Sequence, residues 1–148
     1  MVMERTMCNL EFIDKHKQET GPYEVTQLVN SFLGALAHPW EELKSEFTQK
    51  TIKEAEKDGW PKVSKDCPED EDPKHLGDLL RLMRNGIAHG NIHFLPDGDC
   101  EIDSIRIVNI DTSGHRTWGT RLTVRDMRQF LDKFVETARK LKTAEKPA

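Results

Sequence analysis

Arg84 and His89 are the two residues whose types and spacing carry the most specific chemistry, in the stretch Arg84-Asn85-Gly86-Ile87-Ala88-His89-Gly90. A guanidinium binds a phosphate through two parallel N–H donors, and an imidazole gives or takes a proton near neutral pH. One arginine and one histidine are the minimum for cleaving RNA without a metal. A base activates the ribose 2′-hydroxyl, an acid protonates the leaving oxygen, and the arginine stabilises charge on the phosphorus. By spacing alone the signal is weak, because an Arg followed five residues later by a His arises by chance in roughly one chain in seven of this length. The plain alternative is that Arg84 makes a surface ion pair and His89 caps a helix end.

Other residues invite chemistry less strongly. Lys74, Arg81 and His93 are the candidates for extending an RNA-binding surface beside Arg84, with a solvated face as the alternative. Arg125, Arg128, Arg139 and Lys142, on the outer side of the last helical pattern, invite the same comment. His89 and His93 stand four apart with Asp97, Asp99 and Cys100 downstream, but Gly90 breaks the helix that would align them and no Glu completes a zincin pattern, so no metal site is expected. The alternating acids from Asp97 to Asp103 lack the spacing and the terminal glutamate of a calcium loop. Trp60 and Trp118 could stack bases; such residues are more often core anchors.

The elements that must position these groups are mostly helical. Met3, Met7, Leu10 and Ile13 suggest a first helix to about Gln18, and a break follows at Thr20-Gly21-Pro22. Val25, Leu28, Val29, Phe32, Leu33 and Leu36 repeat at three and four residues, the pattern of an amphipathic helix. After His38-Pro39, Trp40, Leu43, Phe47, Ile52 and Ala55 predict one further helical stretch ending near Gly59. The segment from Trp60 to Pro73 holds three prolines and the acidic run Pro68-Glu69-Asp70-Glu71-Asp72-Pro73, and reads as an exposed loop. Leu76, Leu79, Leu80, Met83 and Ile87 then mark a helix that starts around Lys74 and stops at Gly90. Past it the period changes: residues 104–123 read as a β-hairpin closed at Thr112-Ser113-Gly114. Thr123 and Asp126 form a capping-box-like start to a long last helix carrying Met127, Phe130, Leu131, Phe134, Val135, Ala138 and Leu141. The tail from residue 143 reads as disordered. The expected fold is therefore mainly α, a single domain over residues 1–142: a bundle of four or five helices with a β-hairpin inserted before the last one.

This layout poses a geometric problem for the Arg/His pair. Five residues along an ideal helix turn through about 500°, so Arg84 and His89 leave the axis roughly 140° apart. To converge on one ligand, the last turn must unwind, which Gly86 would permit, or a second copy of the protein must complete the site.

The totals fit one such domain. The chain has 148 residues and a formal net charge of −4, which argues against coating nucleic acid through bulk positive charge while leaving room for a local basic site. No apolar run approaches the roughly 20 residues of a membrane span, and the charged N-terminal stretch does not read as a signal peptide, so a cytoplasmic protein is expected. Cys8, Cys67 and Cys100 lie far apart and read as reduced thiols.

The stretch Arg84–His89 resembles the signature of HEPN domains (higher eukaryote and prokaryote nucleotide-binding): an Arg-x4-6-His motif, a polar residue directly after the arginine, near the end of a helix in a small helical bundle. It is the one occurrence of that spacing in the chain. The resemblance implies a metal-independent endoribonuclease without cofactors, acting on RNA as a homodimer whose two motifs face each other, with Arg84 and His89 as catalytic residues and Asn85 beside them. It also implies a place in toxin–antitoxin, defence or other conflict systems, with an antitoxin or regulatory partner; a non-catalytic RNA-binding or dimerisation module of the same family is the other reading. One departure stands out. In the best-known toxin–antitoxin branch a tyrosine, modified by the antitoxin, sits two residues after the histidine, and here that position is Asn91.

Overall fold

A computed structural model describes residue 8 and residues 23–37, 40–96, 98 and 102–145. The first helix and the breaks at Thr20-Gly21-Pro22 and His38-Pro39 lie outside the described residues, save that Cys8 is helical and exposed.

The described chain is mainly α. Helix α1 (Tyr23–Ala37) buries Leu28, Val29, Phe32 and Leu36 of the stripe its spacing predicts, with Leu33 partly buried and Ala35 buried beside them. The single stretch expected up to Gly59 is instead two helices, α2 (Trp40–Gln49) and α3 (Ile52–Lys57). Thr51 and Glu54 cause the break. The Thr51 hydroxyl accepts the Glu54 N–H and the Glu54 carboxylate accepts the Thr51 N–H at 2.8 Å, a capping box that starts a new helix inside an otherwise continuous pattern. Helix α4 (Leu76–Ala88) begins where Asp78 accepts the His75 N–H at 3.2 Å, and its first N–H donates to the Lys50 carbonyl at 2.8 Å. The α2–α3 break thus fixes where the motif helix starts.

The expected hairpin is present as β2 (Ile102–Ile110) and β3 (Arg116–Thr123), but the sheet has a third strand, β1 (Ile92–Pro96), so the hairpin reading is corrected to an antiparallel meander of order β1-β2-β3. Five residues ending in proline give too short an alternation to stand out. Between β2 and β3, Asp111 Oδ1 accepts the N–H groups of Ser113 and His115, each at 2.9 Å, and Gly114 takes a φ of 83°. Helix α5 (Val124–Glu145) opens with the expected cap: Asp126 accepts the Thr123 N–H at 2.9 Å and the Thr123 hydroxyl accepts the Asp126 N–H at 3.1 Å. It runs through residues 143–145, so the expected disorder from 143 is corrected to a helical last turn.

One core joins helices and sheet. Phe47, Trp60 and Phe134 meet edge to face at centroid distances of 5.4–5.7 Å, and Phe130 packs beside Trp60 at 5.9 Å. Each such pair contributes about 0.5–1.5 kcal/mol beyond its buried area. Trp60 and Trp118 are both buried, which makes them core anchors rather than base-stacking groups. On the sheet, Ile105, Ile107, Trp118, Thr120 and Leu122 turn inward.

Residues 60–73 are irregular, as read, but the segment is only partly exposed: Trp60, Pro61 and Asp70 are buried, and the segment is pinned to β3. Asp66 N–H donates to the Gly119 carbonyl at 2.8 Å, Glu71 N–H to the Thr117 carbonyl at 2.9 Å, and the Thr120 hydroxyl to the Ser64 carbonyl at 2.6 Å. The strongest tie is Asp70, whose side chain is 4% exposed and accepts from Arg116 at 2.7 and 3.0 Å and from the Cys67 and Gly119 N–H groups. The Arg116 bonds, helped by the two backbone donors, hold the Asp70 carboxyl below its usual range. The stabilisation is complete above the unfolded carboxyl value of about 4 and is lost as pH falls through the lowered folded value. Asp70→Asn should therefore cost about 3 kcal/mol in urea unfolding at pH 7, with the gap to wild type closing as the pH falls below the ordinary carboxyl value and through the lowered folded one. An equal gap across that range would contradict the ion-pair origin.

Candidate functional site at the end of the motif helix

Helix α4 buries Leu76, Gly77, Leu79, Leu80, Leu82, Met83 and Gly86 and leaves a polar strip outward. Around the axis, at roughly 100° per residue, Arg84 and His89 bracket that strip, with Ala88, Arg81 and Asn85 between them. Arg81, Ala88 and His89 are exposed, whereas Arg84 and Asn85 are half-buried. The helix stays regular to Ala88, and His89 is its C-cap with φ −92° and ψ 8°.

The helix end is closed by paired bonds. Gly90, at φ 74°, donates its N–H to the Ile87 carbonyl at 3.0 Å, and Asn91 donates to the Gly86 carbonyl at 2.8 Å, the six-residue stop that a left-handed glycine permits. Asn91 then accepts the Val108 N–H at 3.0 Å, so the turn that carries His89 is bonded directly to β2. Gly90 acts as the expected helix stop.

Gly86 has a different role from the one its sequence position suggests. A side-chain Cβ there would stand 2.6 Å from Ile107 Cγ2 and 2.7 Å from the Val108 carbonyl oxygen. The glycine allows α4 to press directly on β2, and the last turn does not unwind. Of the two alternatives the sequence leaves open, an unwound last turn is the one this helix end does not adopt. The fixed turn leaves the two side chains starting roughly 140° apart within one copy.

The other sequence candidates divide. Arg81 shares the strip, one turn before Arg84. Lys74 does not: it precedes the extended cap His75, its carbonyl accepts the Ile52 N–H, and it sits before the opposite end of α4, whose first residue is about 12 Å along the axis from Arg84. Its expected alignment with Arg81 on one helix face is thereby corrected. His93 is exposed on β1 opposite Arg106, on the sheet face turned away from the core. Asp97, Asp99 and Cys100 lie outside the described residues. Among the described residues, no three His, Cys, Asp or Glu side chains cluster in a way that could hold a metal ion, and no helix is long and apolar enough to cross a membrane.

Sequence reasoning missed Arg106, Arg116 and Arg121, which the meander sets on or beside the outer sheet face. The alternation in Ser104-Ile105-Arg106-Ile107 hinted that Arg106 opposes the core, but only the strand register shows what it faces.

Comparison with known proteins gives one positive result: the family model HEPN pEK499 p136 matches residues 1–144. No curated protein and no solved structure matches. A match over nearly the whole chain, with the Arg-x4-His stretch at the end of α4, establishes that this chain belongs to the HEPN family.

Proposed function

We propose that this chain is a metal-independent endoribonuclease in which Arg84 binds and stabilises the scissile phosphate, His89 transfers a proton and Asn85 orients one of them. The observation that carries the reading is the helix end itself. A guanidinium and an imidazole flank one solvent-facing strip, on a turn locked to the sheet by the Asn91–Val108 bond. Such rigidity suits catalysis, since a site must hold its groups in place before the reacting charge develops. In transesterification the 2′-oxygen forms its bond to phosphorus as the 5′-oxygen leaves, giving a 2′,3′-cyclic phosphate and a 5′-hydroxyl. One proton leaves the 2′-hydroxyl and one reaches the leaving oxygen. The divergence of Arg84 and His89 within one copy favours a homodimer in which two motif strips face each other. In that arrangement each phosphate meets the arginine of one subunit and the histidine of the other.

The test is incubation of purified protein with RNA in excess chelator, followed by analysis of product ends. Cyclic phosphate ends are expected, with no cut at nucleotides carrying a 2′-deoxyribose. Binding of RNA that depends on Arg84, with no cleavage under any condition, would instead support a non-catalytic RNA-binding module of the same family.

A further inference from the structure

We infer that the outer face of the sheet is a second binding surface, a track for the phosphates of single-stranded RNA, formed by His93, Arg106 and Arg121. The choice of ligand rests on the RNA-cleaving reading above; the geometry does not. The register pairs His93 with Arg106 and Arg106 with Arg121, so the three form one row across all three strands. Strands in a sheet lie about 4.8 Å apart, which sets three cationic or protonatable heads side by side on long stems that can fan toward successive phosphates. All three reach solvent: His93 is exposed, and the Arg106 and Arg121 side chains are 41% and 57% exposed.

Stability alone does not account for this row. Like charges directly opposed across strands repel, and two arginines facing each other at the centre of a small sheet break that rule. Each is held by a group brought in for it. Asp66, forty residues away in sequence, accepts Arg106 Nε at 2.8 Å. Ser104 Oγ accepts Arg121 Nε at 2.7 Å and Asp103 accepts from its terminal nitrogen at 3.1 Å. Among the described residues these bonds use the Nε edge of Arg106, and the Nε and one terminal nitrogen of Arg121, which orients both guanidinium groups without spending all their donors. Asp66 also reaches Arg116 at 3.6 Å, so that support is shared with the contacts that pin residues 60–73 to β3. A violated local rule that is held in place by such supports marks a functional surface, and planar cations held for two-pronged bonding suit phosphate. Asp66 and Asp103 are positioning residues in this scheme. The row lies on the opposite side of the sheet from α4, so it adds reach along an RNA strand and does not duplicate the motif site.

The experiment measures binding of a labelled single-stranded RNA to the His89→Ala protein across a salt series, so that cleavage does not intervene. Replacing Arg106 and Arg121 together by alanine removes two phosphate contacts. The slope of log affinity against log salt should fall by about 1.4, and affinity at 0.1 M salt by roughly 20-fold. Changing both to lysine should retain most of the slope. Lys53→Ala, which removes a positive charge from an exposed site on α3, should leave the slope unchanged. If the double variant does not fold, Arg121→Ala alone should lower the slope by about 0.7. An unchanged slope in the arginine variants would overturn the track even if wild type cuts RNA. A slope lost in those variants would support it even if wild type never cuts. Tighter arginine-dependent binding to poly-glutamate than to RNA would also overturn it.

Discussion

His89→Ala is expected to lower the RNA cleavage rate by about a thousandfold, the usual contribution of a positioned proton-transfer group. Its fold should be intact, because the side chain is exposed and the helix stop is made by backbone bonds of Gly90 and Asn91. Arg84→Ala should lose at least about a hundredfold by removing the charge that stabilises the phosphorane. Arg84→Lys should recover little of it, since an ammonium keeps the charge and loses the paired donors. The measurement is single-turnover cleavage in chelator, with circular dichroism to confirm the fold. Full activity in His89→Ala would remove it from the chemistry and leave it a cap.

Gly86→Ala separates the packing role of this glycine from the hinge role its position suggests. In an ordinary helix interior, alanine in place of glycine stabilises by about 0.5–1 kcal/mol. Here the new methyl would stand 2.6 Å from Ile107 Cγ2 and 2.7 Å from a backbone oxygen of β2, neither of them a flexible side-chain end. Overpacking of this kind costs about 1–3 kcal/mol and displaces the elements concerned. A net loss of about 2 kcal/mol in urea unfolding is expected, together with lower cleavage, because the displaced helix carries both Arg84 and His89. An increase in stability would show that α4 does not press on the sheet. Gly77, whose Cβ would meet Thr48 at 3.1 Å, is a milder case of the same close approach.

What the sequence revealed follows from the range of the interactions. Helices α1, α4 and α5 were legible because each buries one stripe at a spacing local to itself, and the Thr123–Asp126 cap and the Gly90 stop are local chemistry too. The Arg84–His89 stretch was legible because a motif needs only adjacent residues. Long-range matters stayed hidden. Nothing local to Asp70 announces that Arg116, 46 residues on, will hold it. Nothing local to Arg106 announces that the register will place Arg121 across from it. Strand β1 was hidden for another reason: it is short, and its pairing with β2 rather than its own pattern makes it a strand. Asn91 illustrates both sides. Its identity separates this chain from the tyrosine-bearing pattern, but only the structure gives it the two backbone bonds that close the helix end and tie the histidine turn to the sheet.

A straight, locked helix end starts Arg84 and His89 roughly 140° apart, and the proposed chemistry needs both on one phosphate. The proposed homodimer would resolve this, and mixing two inactive proteins tests it. Arg84→Ala and His89→Ala are purified separately, combined in equal amounts and allowed to exchange subunits. Half of the dimers then carry one of each, and each mixed dimer has one site with both groups intact, so roughly a quarter of wild-type cleavage should return. Cleavage that stays at the level of the separate variants, despite demonstrated exchange, would contradict a site shared between subunits.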